Sequence, residues 1–338
     1  MKKNKFNFTK RAFLCIFVIF LISITFSSVN AADYEDYAPI FYFEDEENCY
    51  PVDTSYHLSN ANFDIIGMDI SLLPIPVSSL SFSTLTDYVS EEDIKNTYLD
   101  NTVGTVDDKK IIGDYQVKES SLGYKVYYRS FTSEGRKVIQ YWMFYAFNDG
   151  EFNKHEGDWE MVQVVIPYDG STKWVAYSQH HSGQRANWNQ VEKVDKNIKV
   201  YVARGSHANY LRSYSGKLGL GMGSDYVGAN GKVLKYGDYE LEELSSQDWL
   251  DYSGHWGEVD SIEDIVLGRA GPYGPKYRES GSMWNNPVSW GNDLMASSDA
   301  MFLGEWFIYN FVLIFVIISM ITLSILIFKI YRRHKKYG

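Results

Sequence analysis

The sequence predicts a mainly β protein: a β-sandwich domain with a few helices, followed by one C-terminal transmembrane helix. Six runs, "APIFYF", "YKVYYRSF", "VIQYWMFYAF", "WEMVQVVI", "WVAYSQHH" and "IKVYVARG", are rich in β-branched or aromatic residues and are bounded by Gly, Asn, Asp or Ser. Aromatic residues make up 16% of the chain, enough large rings to fill the gap between two stacked sheets. Near the end, residues 307–328 carry no charge over 22 positions, long enough to cross a hydrocarbon core of ~30 Å as a helix.

Taken in order, residues 1–31 read as a signal peptide. Lys2, Lys3, Lys5, Lys10 and Arg11 precede an uncharged run, "AFLCIFVIFLISITF", and then small residues with Val29 and Ala31 where a signal peptidase would read. Residues 32–304 form the sandwich domain. Within it, Ser90 and Asp93 make a capping-box-like start to "SEEDIKNTYL", which predicts a helix over 90–99 with Ile94, Tyr98 and Leu99 on its apolar face. From 213 to about 237 the chain turns Gly- and Ser-rich and reads as long loops on one rim. Trp256, Trp284 and Trp290 lie in segments expected to wrap the sandwich. If exposed near the acidic residues below, they would instead line a sugar-stacking groove that His255 could join.

The transmembrane helix is placed at 307–329 and a basic tail at 330–338. Lys329, Arg332, Arg333, Lys335 and Lys336 follow the apolar run, so the positive-inside rule keeps this end in the cytoplasm and the larger domain outside. The expected localisation is a single-pass protein of the cell membrane.

Ten of the 32 Lys and Arg lie in 1–31 and 307–338, and all 43 Asp and Glu lie between. Residues 32–306 thus carry 22 basic against 43 acidic side chains, net −21. That field argues against nucleic acid as a partner. Of the two cysteines, Cys15 belongs to the signal peptide, so Cys49 has no partner for an internal disulfide.

The most concentrated chemistry is "HEGDWE", residues 155–160, running at once into "MVQVVI". On a strand, Asp158 and Glu160 continue the row Val162, Val164, Ile166, while Trp159, Met161, Gln163 and Val165 share the other face. Gly157 permits a bend that turns His155 toward the same spot, and Asp149 can approach from the preceding loop. One imidazole and several carboxylates at a strand end suit a divalent cation, with calcium, magnesium or manganese favoured over zinc. The alternative is a network in which loop amides and Arg204 neutralise the carboxylates.

The blocks "YAPIFYFEDEENCYPV", "QYWMFYAFND", "HEGDWEMVQVVI", "YSQHHSG", "VYVARGSHANYL" and "WGE…GPYGPKY…WNNPVSW" occur in the order seen in the vacuolar protein sorting-associated protein 62 family. The chain resembles that family from about 37 to 290, departing from it at 60–125 and 213–255. The resemblance implies a fold more than a function. A more distant similarity is to necrosis-inducing, Nep-like cytolysins, β-sandwiches with an "HxxDWE" core. It implies that His155, Asp158, Glu160 and the earlier Asp149 line a divalent-cation site that helps recognise a glycolipid head group. The upstream match is only "YAFND".

His180 and His181 end one predicted strand and His207 ends another, so sheet pairing can bring them, with Arg204, to the same edge as ligand-binding residues. The favoured function is a membrane-anchored recognition module for a polar ligand, a glycan or lipid head group. The alternative is a metal-assisted hydrolase in which His155 or His207 handles protons. No set of nucleophile, base and oxyanion donors is recognisable, so non-enzymatic recognition is preferred.

Overall fold

The computed structural model describes residues 33–66, 85, 89–150, 153–180, 182–213, 225–259, 265, 269–297 and 299–337. The signal-peptide assignment, His181 and residues 214–224 of the Gly/Ser-rich stretch lie outside the described residues. Among these, the strands in chain order are β1 (Ile40–Tyr42), β2 (Ala61–Ile65), β3 (Thr97–Asn101), β4 (Lys125–Ser133), β5 (Arg136–Asn148), β6 (His155–Pro167), β7 (Trp174–Gln179), β8 (Ser182–Asn187), β9 (Lys193–Val194), β10 (Asn197–Val202), β11 (Asn209–Tyr210), β12 (Val233–Leu234), β13 (Glu240–Glu243) and β14 (Met295–Ala296). All six predicted strand runs are strands. The larger sheet has the order β13-β4-β5-β6-β7-β8-β14, the smaller β11-β10-β1-β12 with β9 beside β10, and β2 pairs with β3 separately.

The two long strands at the centre set the architecture. β5 and β6 pair antiparallel in one register, Met143 opposite Glu160, Tyr145 opposite Asp158 and Asn148 opposite His155. Residues 138–148 and 155–165 are all buried, so both faces of this strand pair are covered. A strand covered on both faces reads as a continuous apolar run rather than an alternating one, which is why "VIQYWMFYAF" shows no polar period. Phe41, Ile198 and Val200 of the smaller sheet share one core with Tyr141, Val162 and Val164 of the larger. Behind the larger sheet, Phe144, Trp159, Trp249 and Trp256 form a ring cluster with centroids 5.1–5.4 Å apart. Each such buried ring contributes on the order of 2 kcal/mol. Trp256 and Trp290 are buried, and Trp284 stacks on the Arg129 guanidinium at 3.5 Å, so the tryptophans serve as covers rather than as a sugar platform.

One helix expectation is overturned. Residues 94–96 form a short 3-10 turn, and Thr97–Asn101 is strand β3, paired with β2. The Ser90 hydroxyl does meet Asp93, at 2.5 Å, but that contact closes a turn rather than opening a helix. Thr97 and Leu99 are buried in strand alternation, and this packing overrides the local capping signal. A real helix, Lys110–Leu122, buries Ile111, Ile112 and Tyr115 on one side; Gly113 inside it weakens its signature.

The C-terminal helix runs from Asp299 to Tyr337, and its segment Leu313–Lys335 contains an 18-residue window with a mean hydropathy of 2.7, none of it buried. A helix this apolar and uncovered suits a bilayer, and by length and composition it can cross one.

Candidate functional site

The arrangement at "HEGDWE" follows from Gly157. Its φ of +57° is in the left-handed region, and a Cβ there would collide with the Trp256 carbonyl oxygen, so only glycine fits. The left-handed residue breaks strand alternation. His155 therefore joins Asp158 and Glu160 in lining one cavity, while Glu156 goes with Trp159 toward the Trp256 side.

That cavity, about 260 Å³, lies at the β6 margin and is also lined by Asn148, His180, Ser206, His255, Tyr273 and Arg278. His155 is buried, with Nδ1 2.7 Å from the Gly157 carbonyl oxygen. A ring nitrogen facing a carbonyl must carry the proton, so Nε2 presents its lone pair. Among the described residues Nε2 has no hydrogen-bond partner. Burial lowers the His155 pKa below the usual imidazole value and keeps the ring neutral. His255 is arranged alike, Nδ1 lying 2.5 Å from the Gly271 carbonyl oxygen, although its Nε2 is sealed within the protein.

The two carboxylates are held by cations of the chain. Asp158 Oδ2 lies 3.0 Å from His207 Nδ1 and accepts from Asn148 at 3.4 Å. His207 is wholly buried, stacked on Tyr145 at 3.8 Å, and its Nε2 is 3.6 Å from Glu47 Oε1. Burial opposes a charge on His207, but Asp158 and Glu47 outweigh it and push the pKa up to about 9. Glu160 accepts from the Ser178 hydroxyl and lies 3.5 Å from Arg278. Burial pushes Glu160 up to about 7, against the opposing charge of Arg278. Formally, four carboxylates (Asp158, Glu160, Glu47, Asp225) face three cations (His207, Arg278, His180), leaving one net negative charge. Because Asp158 turns toward His207 and Glu160 toward Ser178, the ligand atoms of His155, Asp158 and Glu160 do not all come within 4.8 Å of one another. Among the described residues the group that does is Asp100, Glu156 and Glu258.

The remaining sequence candidates divide. His180 is at the cavity, bonded to Asp225 at 3.0 Å, and that contact outweighs burial to push its pKa up to about 9. Asp149 is turned elsewhere: Lys109 and Lys154 each lie 2.7 Å from its carboxylate, and it lines a neighbouring cavity of about 470 Å³ with Arg204. Asn148, one residue earlier, has the place at the first cavity expected for Asp149. Arg204 does not neutralise the carboxylates of "HEGDWE"; it pairs with Glu44 and Glu46 and lies 4.2 Å over the Tyr226 ring. Arg278 and Glu47 were missed because each is more than a hundred residues from the motif, and nothing in their local sequence signals the encounter.

No protein-family profile and no curated protein matches the chain. Solved structures similar to it include necrosis and ethylene inducing protein 2 from the causal agent of cocoa's witches' broom disease, at 15% identity over 64% of this chain and 75% of that one, with a TM-score of 0.33. NLPPya in complex with glucosamine matches at 13% identity over 71% of this chain and 92% of that one, TM-score 0.34. NLPPya in complex with mannosamine matches at 16% identity over 48% and 67%, TM-score 0.30. These structural neighbours are Nep-like proteins, the group of the more distant of the two sequence resemblances. The similarity to the vacuolar protein sorting-associated protein 62 family remains a reading of the motifs.

Proposed function

We propose that this chain is a membrane-tethered recognition module whose β6-margin cavity holds a divalent cation through His155, Asp158 and Glu160 and presents it to a polar, hydroxyl-rich ligand such as a glycan or lipid head group. The observation that carries the reading is the His155 ring. A neutral imidazole with Nδ1–H fixed on a carbonyl and Nε2 free in the cavity that Asp158 and Glu160 also line is the arrangement of a metal-bound histidine, and the two carboxylates would turn from His207 and Ser178 to reach the same ion. The residual negative charge favours a cation. A donor set with one nitrogen suits manganese as well as the calcium or magnesium expected from oxygen ligands. Arg278, His180 and Asn148 supply hydrogen-bond donors around the opening, and Tyr273 supplies a ring wall. The resemblance to Nep-like cytolysins supports the same ligands, with Asp149 set aside.

Recognition is preferred to hydrolysis because Ser206, a hydroxyl lining the cavity, and His207 are committed elsewhere. The Ser206 hydroxyl donates to Asp225 at 2.6 Å, and His207 is buried between two carboxylates. The second reading, a metal-assisted hydrolase, is favoured by Glu160: a carboxyl that burial raises to about 7 is suited to move protons.

The test is binding of the detergent-solubilised full chain to immobilised glycans and lipid head groups, with added manganese or calcium and after chelation. Cation-dependent capture by wild type, reduced at least tenfold in His155→Gln, is expected. Capture that chelation and His155→Gln leave unchanged would contradict the proposal. Ligand turnover lost in Glu160→Gln would move the assignment to the hydrolase.

A further inference from the structure

We infer that Asp100, Glu156 and Glu258 form a second cation site, of the calcium type, on the opposite face of β6 from the cavity. The three residues come from separate segments: the end of β3, the start of β6, and the stretch following Trp256. One ligand atom from each lies within 4.8 Å of the others. That spread is what one ion permits, since two oxygens at calcium's ~2.4 Å bond length can be at most about 4.8 Å apart.

Glu156 supplies the independent observation. Its side chain is entirely buried. Oε2 accepts the backbone N–H groups of Asn101 at 2.8 Å and Glu258 at 3.1 Å, which fix the carboxylate in place. Oε1 is also buried and has no hydrogen-bond partner. Three carboxylates this close repel one another, and a buried carboxylate with an orphaned oxygen needs a proton or a cation. A proton is the poorer solution geometrically. Oε2 already accepts two N–H groups, so the proton would sit on Oε1, where no acceptor is in hydrogen-bond contact. A calcium ion would use Oε1 and the neighbouring carboxylates at once, and an all-oxygen, all-carboxylate set suits this hard ion better than zinc.

The site would act as a clamp. Gly157 puts Glu156 on this face and His155 on the other, so an ion here ties β3 and the segment after Trp256 to the turn that positions His155. It is separate from the proposed cavity cation and shares no ligand with it.

The test is thermal unfolding and calcium-binding stoichiometry of the detergent-solubilised full chain, using calcium and a chelator as the only variables. Wild type is expected to gain roughly 5 °C with saturating calcium. Glu156→Gln, which keeps the shape and removes the charge, should lose that gain and one bound equivalent while melting no lower than wild type in chelator. Asp158→Asn should keep the gain, separating this site from the cavity. Should Glu156→Gln fail to fold, Asp100→Asn reads the same loss. No calcium-dependent shift in wild type, or a shift and a calcium stoichiometry undiminished in both Glu156→Gln and Asp100→Asn, would overturn the inference.

Discussion

His207 and Asp158 meet 3.0 Å apart, nitrogen to oxygen, with both side chains withdrawn from solvent. The imidazole is held in a left-handed turn at φ +54° that directs it from the β10–β11 connection onto the carboxylate. Replacing His207 with Asn, which tolerates that backbone conformation, would leave Asp158 and Glu47 buried without their cation. The expected loss is about 3–5 kcal/mol in denaturant unfolding. Adding Asp158→Asn should restore part of it, because the pair is coupled. Additive losses would show that the two residues act independently.

Gly157 is the pivot that sorts the motif onto two faces. Gly157→Ala combines a disfavoured left-handed φ with a collision against the Trp256 carbonyl. It should lower stability by roughly 3 kcal/mol or more and weaken cation binding on both faces of β6. An alanine variant as stable as wild type, measured by the same unfolding curve, would show that the turn relaxes at no cost.

His57 gives the fold a pH dependence although it is not among the ligands of either proposed site. It is wholly buried, with Nε2 3.2 Å from the Leu99 carbonyl oxygen, and burial pushes its pKa down to about 4. An unfolded imidazole titrates near 6.5, so on acidification the unfolded chain takes up this proton first. The contribution is therefore complete above about pH 6.5 and is lost as the pH falls toward 4, by on the order of 3 kcal/mol. Unfolding midpoints of wild type and His57→Phe, compared from about pH 7.5 to about pH 4.5, should converge as wild type loses this increment. Parallel curves would contradict it.

Strands and the C-terminal apolar helix were legible because each carries its signal locally: β-branched and aromatic runs between turn residues, and an uncharged stretch of bilayer length. The grouping of His155 with Asp158 and Glu160 was legible too, because Gly157 announces the bend. What short stretches could not convey was which partner each carboxylate would choose. Arg278 reaches Glu160 and Glu47 reaches His207 through tertiary packing, whereas Arg204, nearer in sequence, is drawn to Glu44 and Glu46. The 90–99 segment failed for a similar reason: pairing with β2 outweighs a capping contact of two side chains. Glu156 carries no local signal of its role because Asp100 and Glu258, which it meets, lie more than fifty residues away on either side.

The most direct measurement is electron spin echo envelope modulation of the manganese-loaded full chain in detergent. Coordination by His155 predicts a nitrogen-14 modulation in wild type that disappears in His155→Gln, while the all-oxygen cluster at Glu156 contributes none. Bound manganese with no nitrogen modulation, or a modulation unchanged in His155→Gln, would contradict cation binding at the cavity.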